Sequence, residues 1–290
     1  MKEVVVLSGK GGTGKTSLVA GLAFLLSRNV VADCDVDAAN LNLLLNSKIV
    51  EEHEFYGGRK ATIRTDLCTG CGRCREVCRF DAISENYVVD PLSCEGCGAC
   101  HFLCPAKAVL FDEALSGHYY VAQTKRKRGM VYAELLPGAE NSGKLVSVVR
   151  TRARDLAESD GNDLVLIDGP PGIGCPVISS LTGTQLAVFV TEPTISGVHD
   201  LERVMGLARH FNVPGAVVVN KADLNESYGV KIKEICEERG IDFLGSIPYE
   251  PRITEAQRQG KTILESEPDC SASRRINQIL ERLIERMEAL

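Results

Sequence analysis

Three absences narrow the reading of this 290-residue chain. No apolar run approaches the length that crosses a bilayer, and no leader-like segment precedes the first apolar stretch. No excess of positive charge is present: 39 acidic residues against 33 Lys and Arg leave a formal net charge of −6, so there is no overall electrostatic footprint for nucleic acid. No histidine stands at zinc-finger spacing from a cysteine pair. The expectation is a soluble, cytoplasmic protein without membrane contact or a nucleic-acid partner. In that compartment thiols stay reduced, so the 12 cysteines are read as ligands or buried apolar groups and not as disulfides. A hydrophobic content of 44% allows one sizeable core and a small additional module.

The stretch Ser8-Gly9-Lys10-Gly11-Gly12-Thr13-Gly14-Lys15-Thr16-Ser17 organises the chain. It follows Val4-Val5-Val6-Leu7 and precedes an apolar helical pattern through Leu18, Leu22, Leu25 and Leu26. Strand, glycine-rich turn and helix make the context of a phosphate-binding loop, and Gly9-x4-Gly14-Lys15-Thr16 fits its formula. Glycines let backbone N–H groups from Gly11 to Ser17 converge on an anion at a helix N-terminus. Lys15 neutralises the outer phosphates, and the Thr16 hydroxyl ligates Mg²⁺. A βα turn that binds nothing needs neither group.

Further along, Val30-Val31-Ala32 ends in Asp33-Cys34-Asp35-Val36-Asp37, carboxylates at the end of a strand where an open α/β sheet builds its ligand site. Asp37 is also placed to cap a helix starting at Ala38. Leu164-Val165-Leu166-Ile167 delivers Asp168, suited to hold the Mg²⁺ shell, into Gly169-Pro170-Pro171-Gly172. Strands follow at Leu186 to Val190, Ala216 to Val219 and Phe243 to Ile247. The second of these ends in Asn220-Lys221-Ala222-Asp223, which read alone is a guanine-reading motif. A closing amphipathic helix runs through Ile276, Ile279, Leu280, Leu283 and Met287; its glutamates weaken attraction to anionic lipid, so it packs on the sheet.

Between Ile49 and Leu145 the α/β pattern stops. Cys68-x2-Cys71-x2-Cys74-x3-Cys78 recurs as Cys94-x2-Cys97-x2-Cys100-x3-Cys104, every cysteine displaced by 26 positions, and Ala82-Ile83 recurs as Ala108-Val109 at the same offset. That is an internal duplication. Zinc is the competing metal for x2 pairs, disfavoured by two complete four-cysteine runs. His118 to Ala122 and Met130 to Leu135 read as paired strands around Lys125-Arg126-Lys127-Arg128, a solvated turn or a docking surface for an acidic partner.

The phosphate loop, with its early Lys10, resembles that of the deviant Walker A ATPases of the MinD/ParA/Mrp group, as do Asp33-x-Asp35-x4-Asn40 and Asp168-Gly-Pro-Pro-Gly. The cysteine region resembles bacterial two-cluster ferredoxins. The first resemblance implies an α/β fold, a mostly parallel sheet flanked by helices at 1–48 and 143–290. The second implies an inserted α+β ferredoxin-like domain within 49–142, its module at about 60–112. The resemblance further implies that Lys10 reaches a partner's phosphates across a nucleotide-dependent homodimer, or a heterodimer with a related ATPase. Asp35 positions the attacking water or the Mg²⁺ shell, and Asn220, Asp223 and Pro248 lie at the base. Lys10, Lys15, Asp35 and Asp168 make the catalytic set that the resemblance implies, and ATP is preferred over GTP. Ferredoxin resemblance assigns Cys68, Cys71, Cys74 and Cys104 to one [4Fe–4S] cluster, and Cys94, Cys97, Cys100 and Cys78 to the other. Arg79 stands where that pattern has proline and is expected to alter the local turn. Three functions compete: nucleotide-gated electron transfer with a redox or metallocluster protein, an iron–sulfur assembly carrier, and a redox-sensing positioning ATPase. The first is preferred because eight complete ligands make permanent clusters.

Overall fold

A strand buried on both faces reads as a continuous apolar run, and β1 (Lys2–Ser8) is one, with Val4, Val5, Val6 and Leu7 wholly buried. In this computed structural model, which describes residues 1–290, β1 lies between β6 (Leu164–Pro171) and β7 (Leu186–Thr191) at the centre of a nine-stranded sheet. The remaining strands are β2 (Asn29–Asp33), β3 (Lys48–Ile63), β4 (Val109–Gln123), β5 (Gly129–Leu135), β8 (Gly215–Asn220) and β9 (Asp242–Ile247), and the order is β3-β4-β5-β2-β6-β1-β7-β8-β9. From β5 through to β9 in that order every neighbouring pair is parallel. A parallel sheet of this kind requires helical crossovers.

The helices are α1 (Lys15–Leu25), α2 (Leu41–Leu44), α3 (Arg73–Val77), α4 (Ala99–Leu103), α5 (Ser142–Ser159), α6 (Cys175–Leu181), α7 (Ile195–His210), α8 (Glu226–Arg239), α9 (Arg252–Arg258), α10 (Ile263–Ser266) and α11 (Ser271–Glu288), of which α3 and α4 belong to the cysteine region and α9, α10 and α11 follow the last strand. The stripe Ile276, Ile279 and Leu283 of α11 is buried in the same core as Leu18 and Leu22 of α1. The Sγ of Cys270 caps α11, accepting from the Ser273 N–H at 3.4 Å. A buried ion pair ties α5 to β1: Arg150 Nη2 donates to Glu3 Oε2 at 2.9 Å, and Arg150 Nη1 donates to the carbonyls of Ser179 and Thr182. No helix is long and apolar enough to cross a membrane.

The chain divides into two units, Met1–Glu52, Tyr119–Glu134 and Ser142–Leu290 in one, His53–His118 and Leu135–Asn141 in the other. The insertion is therefore narrower than 49–142. β5 pairs in parallel with β2 through Val31↔Met130, Ala32↔Val131 and Asp33↔Tyr132, which makes 119–134 part of the main sheet. The basic loop joins β4 to β5, with the Thr124 N–H donating to the Arg128 carbonyl and Lys125 paired to Glu265 at 2.6 Å.

The second unit shows the duplication in its backbone. Gly70, Gly72 and Asp81 have φ of 68°, 77° and 49°, and Gly96, Gly98 and Lys107, each 26 positions later, have 60°, 73° and 51°. α3 and α4 stand at the same offset, and their closing residues, Cys78 (φ −73°, ψ 112°) and Cys104 (φ −74°, ψ 110°), coincide. The expectation that Arg79 alters the turn is thereby corrected. The residue before a proline is held extended, and Cys78 takes that conformation with no proline after it.

Candidate functional site

The phosphate loop leaves β1 and enters α1 through Gly14, whose φ of 87° lies in the left-handed region. A Cβ at Gly14 would sit 2.2 Å from Asn220 Nδ2. That amide donates to the Thr13 carbonyl at 2.8 Å, so the tip of β8 fastens the loop. Lys15 and Asp168 are both buried, and Lys15 Nζ meets Asp168 Oδ1 at 2.5 Å, with the Thr16 hydroxyl 3.4 Å away. Burial pulls the Lys15 ammonium down, the carboxylates of Asp168, Asp33 and Asp35 pull it up, and the net direction is up. Asp168 Oδ2 and Thr13 Oγ1 are buried without a hydrogen-bond partner. Oxygens left in that state suit a cation's hydration shell and a phosphate.

Asp33 is a residue that sequence reasoning undervalued. It lies opposite Asp168 in the β2–β6 register and is wholly buried. Its carboxylate accepts from the backbone N–H groups of Asp35, Asn40 and Leu41 at 3.1, 3.2 and 3.1 Å, which ties down the loop carrying Asp35. Asp33, and not Asp37, therefore caps α2, which begins at Leu41 and not at Ala38. Burial and the neighbouring Asp168 raise the Asp33 carboxyl to about 7. Asp35 is half-buried, and its carboxyl is also raised, chiefly by burial. Cys34 between them is buried and inert, its thiol pushed well up by desolvation.

Lys10 turns toward its own chain. Its Nζ lies 3.3 Å from Glu192 Oε2 and donates to the Ser196 hydroxyl at 3.2 Å. Lys221 holds the other Glu192 oxygen at 2.5 Å and the Gly12 carbonyl at 3.3 Å. Glu192, at the carboxyl end of β7, thus links Lys10 to the loop, a long-range contact that no local motif announces.

A profile of the CobQ/CobB/MinD/ParA nucleotide binding domain matches residues 4–263. The chain belongs to this family. It is 38% identical to an uncharacterized protein of Methanocaldococcus jannaschii over 234 residues, 79% of this chain and 82% of that one. It is 25% identical to the septum site-determining protein MinD of Bacillus subtilis over 98% of this chain and 89% of that one. Its fold matches MinD of Pyrococcus horikoshii complexed with Mg-ADP, with a TM-score of 0.60 at 18% identity over 97% and 95% of the two chains.

In this CobQ/CobB/MinD/ParA-type unit a narrow cleft adjoins the phosphate loop at Gly14, Ser17 and Asn220 and is walled by Leu18, Ile247 and Ile253. Apolar walls with a few polar groups suit a purine. Ile247, rather than its neighbour Pro248, lines the cleft, and Gln257 donates to the Ser17 hydroxyl at 2.5 Å across it. The Asn220 side chain is engaged at both ends, by the Thr13 carbonyl and by the Lys221 N–H. Asp223 is exposed and accepts from the Tyr249 N–H at 2.6 Å, outside the cleft lining.

The second unit gathers its cysteines around an apolar core. Cys74 on α3 and Cys100 on α4 are buried with Ala61, Ile83 and Val109, and Cys78, Cys94 and Cys104 pack against them. A small cavity is lined by Cys78, Cys94, Cys97 and Cys100 together with Ile83 and Val89. Three of these thiols come from the second run and one from the first. Cys68 and Cys71 lie close enough to Cys74 to raise its thiol, after burial, the larger cause. The Ala108 N–H donates to Cys104 Sγ at 3.3 Å. All the cysteines are free, and no three His, Cys, Asp or Glu groups converge at the spacing of a single metal ion. Cys175, exposed at the start of α6, and Cys236, buried in α8, belong to neither group.

Proposed function

We propose that this protein is a Mg²⁺-dependent ATPase that switches between monomer and nucleotide-dependent dimer and carries two [4Fe–4S] clusters, gating electron transfer to or from a metalloprotein. The observation that carries the redox half is the cavity joining Cys78 to Cys94, Cys97 and Cys100. Thiols from both runs around one apolar space fit the crossed ligand sets of a two-cluster ferredoxin. The remaining set is Cys68, Cys71, Cys74 and Cys104. Bound clusters supply one-electron storage, and the chain's part is to shield them in the core around Ile83 and Val109.

The nucleotide half rests on Lys15. Phosphates entering the loop compete with Asp168 for its ammonium, and Lys15 moves from carboxylate to phosphate. Asp168, once released, would hold the Mg²⁺ shell with the Thr16 hydroxyl. Asp35 orients the attacking water, and Asp33 keeps Asp35 in place through its three backbone hydrogen bonds. Lys10 leaves Glu192 and Ser196 to reach the partner subunit's phosphates. ATP is favoured over GTP because Asp223, the residue that would read guanine, lies outside the lining of the cleft.

A positioning ATPase is the second reading, favoured by the likeness to MinD proteins. The burial of Ile276, Ile279 and Leu283 counts against a terminal helix that lies on lipid. An assembly carrier would need few, exposed cysteines, whereas Cys74 and Cys100 are buried. The decisive test is anaerobic purification, which should give about eight iron atoms per chain with spectra of reducible [4Fe–4S] centres. Stoichiometric zinc without iron would refute the redox half.

A further inference from the structure

Lys10 has work to do at a partner's phosphates yet is tied within its own chain, and we infer that Glu192 is an autoinhibitory latch, holding Lys10 back until two nucleotide-loaded copies meet. This rests on the proposed dimer. The backbone at Lys10 is fixed from two sides. The Ser8 hydroxyl donates to the Lys10 carbonyl at 2.8 Å, and Gly9 backs so closely onto α7 that a Cβ there would lie 2.5 Å from the Asp200 carbonyl oxygen. Lys10 therefore changes partner by swinging its side chain alone. Glu192 Oε2 lies 3.3 Å from Lys10 Nζ, the carboxylate side chain 12% exposed and the lysine 32%. Burial pushes the Glu192 carboxyl up, Lys221 and then Lys10 pull it down, and the net direction is down, so the latch is charged at neutral pH. The carboxylate of Asp200 is engaged elsewhere, 3.6 Å from His199 and 3.9 Å from Arg203.

Lys221 makes the tie reversible. Its Nζ holds Glu192 Oε1 at 2.5 Å and donates to the Gly12 carbonyl at 3.3 Å. A largely buried carboxylate abandoned by its only cation carries the cost of an unpaired charge. Glu192 avoids that cost, because Lys221 stays when Lys10 leaves. Two lysines also share one carboxylate, so Lys10 is held by less than a full ion pair, whereas a partner's triphosphate offers several negative charges. The Glu192 charge opposes closure in a second way, by repelling phosphates that approach Lys10. A partly exposed pair of this kind gives a modest hold. Both protomers must release it, so its effect enters the dimer equilibrium twice.

The test uses the full chain, purified anaerobically and saturated with Mg²⁺ and a non-hydrolysable ATP analogue. Dimer is read by sedimentation velocity across a range of protein concentrations, and ADP binding to each variant monomer checks that the fold and the loop survive. Glu192→Gln should dimerise at a midpoint concentration at least threefold below wild type. Lys221→Gln should move the midpoint up, because Lys10 then becomes the carboxylate's sole lysine partner. In the Glu192→Gln background, Lys221→Gln should give no upward shift, which separates a shared carboxylate from two independent injuries. Equal or weaker dimerisation by Glu192→Gln, while wild type dimerises and Lys10→Ala does not, would overturn the latch alone and make Glu192 a guide for Lys10. If Glu192→Gln does not fold, Lys221→Gln decides, and an unchanged or lowered midpoint overturns the latch. Failure of wild type to dimerise, or a dimer indifferent to Lys10→Ala, would overturn the dimer reading and this inference with it.

Discussion

Asp33 and Glu192 show how much a carboxylate at the end of a buried strand can organise. Asp33 fixes three backbone N–H groups, and Glu192 joins two lysines that lie far apart in sequence. Asp33 also makes the nucleotide-free protein sensitive to pH. Its folded-state carboxyl is raised from 3.8 to about 7, so in that window the folded chain holds a proton that the unfolded chain has released. By linkage, stability falls as pH rises through the window and levels off above it. Thermal melting of nucleotide-free protein should show this slope, and Asp33→Asn should flatten it; an unchanged slope would remove Asp33 as its source. The two loop lysines should separate cleanly. Lys15→Ala should abolish nucleotide binding in a fluorescence titration. Lys10→Ala should bind nucleotide as a monomer yet lose ATP-dependent dimerisation, seen by light scattering, together with hydrolysis. Normal hydrolysis by Lys10→Ala would show that the lysine acts only within its own chain.

At the scale of elements, the buried pair Glu3–Arg150 holds α5 and the end of α6 against β1. Glu3→Ala would leave the Arg150 charge buried with only carbonyl partners, a loss of about 3–5 kcal/mol by denaturant titration. A loss below about 1 kcal/mol would show that water reaches the pair. Crossed ligation is also an element-scale matter, since Cys78 closes α3 while its proposed cluster partners surround α4. Cys78→Ala should damage that cluster and spare the one held by Cys68, Cys71 and Cys74, as read by iron content and electron paramagnetic resonance. Damage confined to the other cluster would show that the runs do not cross. The phosphate loop and the duplication were legible in sequence because each depends on residue type at fixed local spacing, as Gly14 and the repeated cysteines do. The place of β5 was not. An alternating strand after a basic turn looks the same inside an insertion or in the main sheet, and only its pairing with β2 decides. Capping by Cys270 and the Lys10–Glu192 contact were equally hidden, one using an unusual acceptor and the other joining residues distant in sequence.

For the whole molecule, the central claim is that nucleotide and clusters are coupled. Its motive is connectivity: β3 and β4 each begin in one unit and end in the other, and β3 follows the loop held by Asp33 and α2. If ATP and ADP stabilise different cluster environments, reduction must change nucleotide affinity by the same free energy. The direct measurement is the potential of both clusters with ADP and with a non-hydrolysable ATP analogue, in wild type and in Asp35→Ala as a slowly hydrolysing control. A coupling of about 1–3 kcal/mol predicts a shift of about 40–130 mV in at least one cluster between the two nucleotide states. Identical potentials in both states, with equal nucleotide affinity for oxidised and reduced protein, would contradict the claim.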